Sequence, residues 1–538
     1  MTAKPPFLLP VRARLGDRSI DHPGQRFRAR ALRVGAGLLV AAQLALQPAL
    51  APAQILPGMG DGAEMTASAE RRLGDQVARE IYRDPDFIDD PVLAEYVDEI
   101  WQRLLAAART RGDLTPELDE RFAWTVMLGR DRSINAFALP GGYLGVHLGL
   151  IAVVGSKDEL ATVLGHELSH VTQRHIARMM AKQSKQMPLL LAGMVLGMIA
   201  AGKSRSPDAG QAVLMGSQAA FMQNQLSFSR DMEREADRVG FGVMTQAGYA
   251  PQGAAAMFEK LQYASRLNDN GSYPYLRSHP LNSERISDMQ GRFQFRPGTA
   301  PVMPLAMDHA MIASRARVLS RPGVDLLRLW INAADSGEFA RSSAAQQAGI
   351  LYAAALSASE LRDFKQARTL AQQLAKRTAD DAGAARLARL LAAEIELAAR
   401  SPAKAAELLD TKARTRPEML LAAQAAAATG GSATMVAPLR DWVALHPRDA
   451  TAWRTLANLY GSQNDSLRAI RADAEANVAL LDFPGARDRL KAAQELMRSG
   501  SAGPGGMPID HYEASIIDTR ARAVDALVKE QAAEPPLR

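Results

Sequence analysis

Apolar residues recur at spacings of three and four through much of the chain, and in a few short stretches they alternate instead. Leu93, Tyr96, Val97, Ile100, Trp101, Leu104 and Leu105 form one such stripe within Pro91 to about Arg109, as the 3.6-residue helical period requires. The same pattern predicts helices from Ala67 to about Tyr82, Asp158 to about Gln183, Asp231 to Gln246 and Gln252 to about Ser265. Phe122–Met127, Ile134–Ala138 and Tyr143–His147 alternate or are rich in β-formers, the last after a Pro140-Gly141-Gly142 turn. They predict strands of a small antiparallel sheet.

Beyond about residue 310 strand character fades and Ala-rich helices take over. Trp453-x-x-Leu456-Ala457-x-x-Tyr460 matches the first-helix signature of a tetratricopeptide repeat, with Ala where Gly is usual. Asp363–Arg368, Ser401–Ala405 and Phe483–Arg487 read as the turns of such repeats, although a generic helical array fits the same pattern. Stacked helix pairs bury apolar faces on their neighbours and leave a concave surface suited to protein partners. The Gly/Ser/Pro run Ser499–Gly506 then separates a short C-terminal helix. The expected organisation is a leader at 1–53, a mixed domain at 54–310, a repeat domain at 311–498, and a linker with a last helix at 499–538. At 538 residues, two or three folded units are the expectation.

Charge changes this picture less than the totals suggest. The chain carries a formal net charge of +6, but residues 1–53 hold eight of its 64 basic and two of its 58 acidic residues. The remainder is neutral, which argues against a nucleic-acid partner. The leader itself has Arg26, Arg28, Arg30 and Arg33 ahead of an apolar run from Val34 to Leu46, then Ala51-Pro52-Ala53. That order predicts an export signal cut at Ala53/Gln54; the alternative, an uncleaved anchor, is short of the ~20 residues a spanning helix needs. Cysteine is absent, which removes both lipid attachment and thiolate metal ligands. A second apolar stretch, Met187 to Ala201, reads either as a buried helix or as a segment touching a membrane.

His166-Glu167-Leu168-Ser169-His170 is an H-E-x-x-H sequence inside a helical pattern. Residues four apart lie only ~40° apart around a helix, so both imidazoles can reach one Zn²⁺, with Glu167 beside its bound water. Such a carboxylate takes the proton as water attacks a peptide carbonyl. His175, nine positions on, falls on the opposite side of a continuous helix and reads as structural or solvent-facing. A third ligand must come from elsewhere. Ser229-Arg230-Asp231-Met232-Glu233-Arg234-Glu235-Ala236-Asp237 places Glu233 and Asp237 on one face and Glu235 on another; by spacing alone this helix either carries a ligand or is an exposed charged helix.

Taken together, H-E-x-x-H, then Glu233-x-x-x-Asp237, the segment Asn135–Gly142, and His279-Pro280-Leu281-Asn282-Ser283-Glu284-Arg285 resemble the metallopeptidase family of HtpX and the CAAX prenyl-protein proteases. With the leader and the repeats, the resemblance is to the family's periplasmic branch, the β-barrel assembly-enhancing proteases. It implies a mostly α fold, a zincin-like domain followed by an α-solenoid. It further implies one Zn²⁺ per chain on His166, His170 and Glu233, Glu167 as general base, and Asp237 as the acceptor behind a ligand imidazole. His279 becomes either an oxyanion donor or a reversible cap on the metal, with Arg285 holding its segment. Asn135, Ala136 and Phe137 become a strand for pairing with substrate. The implied clients are stalled or misfolded outer-membrane proteins, reached through repeats that dock on the barrel-assembly machinery; the rival reading is a chaperone whose peptidase is normally silent. Family members with membrane spans around the core differ from this chain, which retains only Met187–Ala201.

Overall fold

Residues with short polar side chains begin many of the helices. Thr66, Asp90 and Ser156 cap α1 (Ala67–Arg83), α2 (Pro91–Arg111) and the later helix α5 (Lys157–Thr172), each accepting a hydrogen bond from the backbone three residues on, which satisfies an amide that the first turn leaves free. In the computed structural model the described residues are 65–181, 230–266, 273–293, 304–410, 412–499 and 510–534. The leader, Met187–Ala201 and most of Ser499–Gly506 lie outside them. Among the described residues no helix is long and apolar enough to cross a membrane.

Between α2 and α5 come a short helix α3 (Pro116–Arg121), strands β2 (Thr125–Gly129), β3 (Ala136–Leu139) and β4 (Tyr143–His147), and helix α4 (Leu148–Val153). A two-residue strand β1, Phe87–Ile88, precedes α2. The sheet order is β1-β2-β4-β3. It is mixed, which corrects the antiparallel expectation: β2 and β4 pair in parallel, Thr125 opposite Tyr143 through Gly129 opposite His147, while β3 and β4 are antiparallel. The tight Pro140–Gly142 turn forces β3 and β4 into a hairpin, with Gly141 and Gly142 at φ 71 and 84 where side-chain-bearing residues are strained. The hairpin docks by β4, so β4 follows the direction of β2 and β3 is left at the sheet's edge. Alternation reports which face is buried, not strand direction.

The stripe read from the sequence on α2 is buried in full, with Ile100 and Leu104 at 0% exposure. It packs against α5 and the sheet, and Trp101 donates to the Trp124 carbonyl at 2.9 Å. α5 packs in turn on β3, α7 (Arg230–Gln246) and α8 (Pro251–Arg266). Its contact with α7 is close because glycines meet. A Cβ on Gly240 would lie 2.9 Å from the Gly165 carbonyl oxygen, well inside van der Waals contact, so α7 cannot carry a side chain there without a shift of the helices.

After the short helices α9 (Tyr275–Ser278) and α10 (Ser283–Phe293), α11 (Met307–Leu319) runs across the expected boundary at 310 and packs against both α2 and α4 on one side and α14 on the other. The helices beyond it include α12 (Val324–Ala333), α13 (Gly337–Arg341), α14 (Ala344–Glu360), α15 (Phe364–Arg377) and α16 (Ala382–Ala398). They continue with α17 (Pro402–Leu408), α18 (Arg416–Thr429), α19 (Ala433–Leu445), α20 (Ala450–Ser462), α21 (Ser466–Ala479), α22 (Phe483–Arg498) and α23 (His511–Ala532). A recurring turn joins several of these: a left-handed residue, Arg362, Asn464 or Leu481, followed at once by a capping Asp363, Asp465 or Asp482. The Trp453–Tyr460 signature lies on α20, where Leu456 and Tyr460 are buried.

Three arginines tie this helical region to the start of α2. Arg315 bridges Asp90 and Glu394, Arg386 bridges Glu95 and Glu418, and Arg416 bridges Asp89 and Asp449. The described residues fall in one compact unit.

Candidate metal centre

His166 and His170 lie on one face of α5, both buried, with their Nε2 atoms 3.0 Å apart. α7 crosses that face at the Gly165–Gly240 contact and brings Glu233 to them. Glu233 Oε2 is 3.5 Å from His166 Nε2, and Oε1 is 3.5 Å from His170 Nε2. His279, just after α9, completes the group: its Nδ1 is 3.0 Å from Glu233 Oε1 and 3.3 Å from His166 Nε2. One potential ligand atom from each of these four residues lies within 4.8 Å of the others.

The donor set and spacing fit a tetrahedral cation. Zn–N bonds of about 2.0–2.1 Å imply ligand–ligand edges of about 3.3–3.4 Å, close to the separations above. The charges fit as well. Burial opposes ionisation of Glu233, but His279 and His166 beside it hold its carboxyl well below the usual range. Burial likewise lowers His166, yet hydrogen bonding to Asp237 and Glu233 pushes it up to about 10. The buried carboxylates therefore favour positive charge beside them, part of which Arg285 supplies at 2.7 Å from each. Burial and the charge on His166 hold His170 well below the usual imidazole value, leaving it a neutral ligand type.

Glu167 is buried, and burial raises its carboxyl. Its Oε2 accepts from the Ala138 amide at 2.9 Å; its Oε1 has no hydrogen bond and lies 3.4 Å from His279 Nε2. Asp237 Oδ1 is 2.9 Å from His166 Nδ1. Arg285 grips Asp237 at 2.7 and 2.8 Å, lies 2.7 Å from Glu233 Oε2, and donates to the Pro280 carbonyl at 3.0 Å. It thus ties the His279 segment to α7. Tyr275 lies against the His279 ring, centroids 4.7 Å apart.

The structure therefore brings together His166, Glu167, His170, Glu233, Asp237, His279 and Arg285. Ala136 and Phe137 lie on the edge strand, with Asn135 just before it. The His147 amide bonds to the Asn135 carbonyl, which sets the parity: Phe137 and Leu139 turn their backbone groups toward β4, while Ala136 and Ala138 turn theirs off the free edge. The Phe137 ring packs beside Gly145, edge-on to His147.

Two residues set aside by helical angles belong to the same neighbourhood. His175 is fully buried because the helix does not continue to it: α5 ends at Thr172, Arg174 turns left-handed at φ 53, and α6 (His175–Ala181) begins anew. This corrects the single helix expected to about Gln183 and the 180° offset drawn from it. Glu235 does diverge from Glu233, but toward α6, where it lies 3.0 Å from His175 Nε2. The run Thr172-Gln173-Arg174-His175 contains no Gly or Pro to mark the break.

A buried H-E-x-x-H helix crossed by a carboxylate-bearing helix, beside the edge strand of a sheet, is the constellation of a metal-dependent endopeptidase. Residues 92–293 match the model for peptidase family M48. The chain is 30% identical to the β-barrel assembly-enhancing protease of Escherichia coli K12, over 84% of this chain and 89% of that one. It is 33% identical to the protein of the same name from Yersinia pestis, over 60% of this chain and 64% of the relative. A more distant similarity, 28% over 36% of this chain and 54% of the relative, is to the mitochondrial metalloendopeptidase OMA1 of Saccharomyces cerevisiae. The chain belongs to peptidase family M48 and is a metalloendopeptidase of the β-barrel assembly-enhancing type.

Proposed function

We propose that this is a periplasmic zinc endopeptidase, exported by the leader at 1–53, that removes stalled or misassembled outer-membrane β-barrel proteins. The observation that supports it most is the convergence of His166, His170, Glu233 and His279 beside the edge strand of the sheet. In this reading His166, His170 and Glu233 hold one Zn²⁺, which would polarise the scissile carbonyl and acidify a water. Substrate lies along β3 as an added strand, paired through the outward backbone groups of Ala136 and the outward carbonyl of Ala138, whose amide holds Glu167, and flanked by Asn135 and Phe137. Glu167 takes the proton of the attacking water and returns it to the leaving amine, a task favoured by its burial-raised carboxyl. Asp237 keeps His166 aimed.

His279 serves as a reversible cap rather than an oxyanion donor, since its Nδ1 faces Glu233 and His166; Arg285 holds that segment in place. A capped site also favours the second reading, a chaperone with a silent peptidase. The region 311–498 acts as a tetratricopeptide-like array that docks on the barrel-assembly machinery or on clients.

Metal analysis and casein cleavage by the purified protein and its Glu167→Gln variant test the enzyme. Complementation of a null strain with Glu167→Gln separates the readings: full rescue would sink proteolysis as the main function and leave the chaperone.

A further inference from the structure

Each imidazole of α5 has an acceptor behind it, and the two acceptors differ. His166 is backed by Asp237, itself neutralised by Arg285. His170 Nδ1 instead lies 2.9 Å from His175 Nδ1, His175 Nε2 lies 3.0 Å from Glu235 Oε2, and Glu235 Oε2 accepts from Arg178 at 2.8 Å. We propose that His175 and Glu235 are positioning residues of the metal centre, an imidazole–carboxylate arm that sets the tautomer and aim of His170 as Asp237 does for His166. The inference rests on reading His166, His170 and Glu233 as metal ligands.

The direction of the arm follows from what each group can do. A carboxylate only accepts, so the proton of neutral His175 sits on Nε2, facing Glu235. Its Nδ1 is then an acceptor, and an Nδ1–H on His170, 2.9 Å away, is placed to donate to it. That tautomer leaves the His170 Nε2 lone pair pointing at His166, Glu233 and His279, where a cation is needed. Arg178 keeps Glu235 an acceptor. α7 thus supplies three carboxylates with separate tasks: Glu233 toward the metal, Asp237 behind one imidazole, Glu235 behind the other through His175.

The chain is bent to make this contact. On a continuous helix His175 would sit about 140° around from His170. The left-handed turn at Arg174 folds α6 back instead, and the turn is held by Arg174 donating to Glu70 at 3.2 Å and to the Met65 carbonyl. A tie whose only task was to join α6 to α7 would not need an imidazole in register with His170 Nδ1.

The test uses the full-length protein and two readouts: zinc affinity by competition with a chromophoric chelator, and the visible bands of the Co²⁺-substituted protein. His175→Ala is expected to weaken zinc binding roughly 10–100-fold and to shift the cobalt bands. Glu235→Gln, which keeps size but not acceptor-only character, moves both readouts the same way by less. Because the two act in series, Glu235→Gln adds nothing in the His175→Ala background. Zinc affinity within twofold of the parent and unchanged cobalt bands in both single variants would overturn the proposal. If His175→Ala does not fold, Glu235→Gln, at a partly exposed position, decides by the same readouts. His170→Ala separates the premise: parental zinc affinity there refutes the ligand set, whereas loss there with no effect at His175 and Glu235 refutes the arm alone.

Discussion

The Glu167 carboxylate is held by the Ala138 amide at 2.9 Å, so the acidic residue of the H-E-x-x-H helix is fastened to the outward side of the edge strand. The other oxygen, Oε1, has no hydrogen bond and lies 3.4 Å from His279 Nε2. Replacing Glu167 with Gln keeps the shape and removes the proposed base. Zinc content is expected to stay at one per chain while casein turnover falls by roughly 10²–10⁴-fold; loss of zinc in this variant would mean that Glu167 supports the site rather than the reaction.

His279 contacts Glu233 at 3.0 Å and approaches Glu167 at 3.4 Å, and the proposed cap would keep a substrate carbonyl out of that space. His279→Ala is expected to raise basal casein cleavage severalfold with zinc retained. Abolished activity with zinc still bound would favour a role on the oxyanion instead.

The Gly165–Gly240 contact sets how close α7 comes to α5. In Gly240→Ala the new methyl forces the helices apart, at a cost of about 1–3 kcal/mol, and carries Glu233 and Asp237 away from the histidines. A lowered melting midpoint together with weaker zinc binding in chelator competition is the expected pair of results. Unchanged zinc affinity would show that the ligands do not depend on this crossing.

Asp449 offers a test of the seam between the helical region and α2. Burial opposes its ionisation, but two bonds from Arg416 hold its carboxyl below the usual range. A depressed folded value means that the stabilisation is fully present above the unfolded pKa of about 4 and is lost as pH falls through the folded value. Asp449→Asn keeps the helix cap but not the charge, and is expected to cost about 1–3 kcal/mol. Denaturant melts should show a parent–variant gap that is constant from pH 8 to about 5 and shrinks below about 4. A gap that widens in acid would refute the ion pair's role.

Much of the site was legible because its spacing is local. His166 and His170 share one helix face whatever surrounds them, and the α2 stripe from Leu93 to Leu105 announced its burial through period alone. Glu233 needed the family pattern, since its meeting with α5 is made by two glycines 75 residues apart. His175 and Glu235 stayed hidden because the left-handed turn falls on Arg174, a residue type that gives no warning of one. The parallel pairing of β2 and β4 was equally silent, and β1, two residues long, is too short to carry a period.

The bridges from Arg315, Arg386 and Arg416 to Asp90, Glu95 and Asp89 all converge on the beginning of the helix whose other face backs α5. If the array grips a client, it does so as a fixed jaw rather than on a tether. The bond presented to Glu167 is then chosen by span, the distance along the client from the gripped segment to the edge strand, and residue preference at the cut comes second.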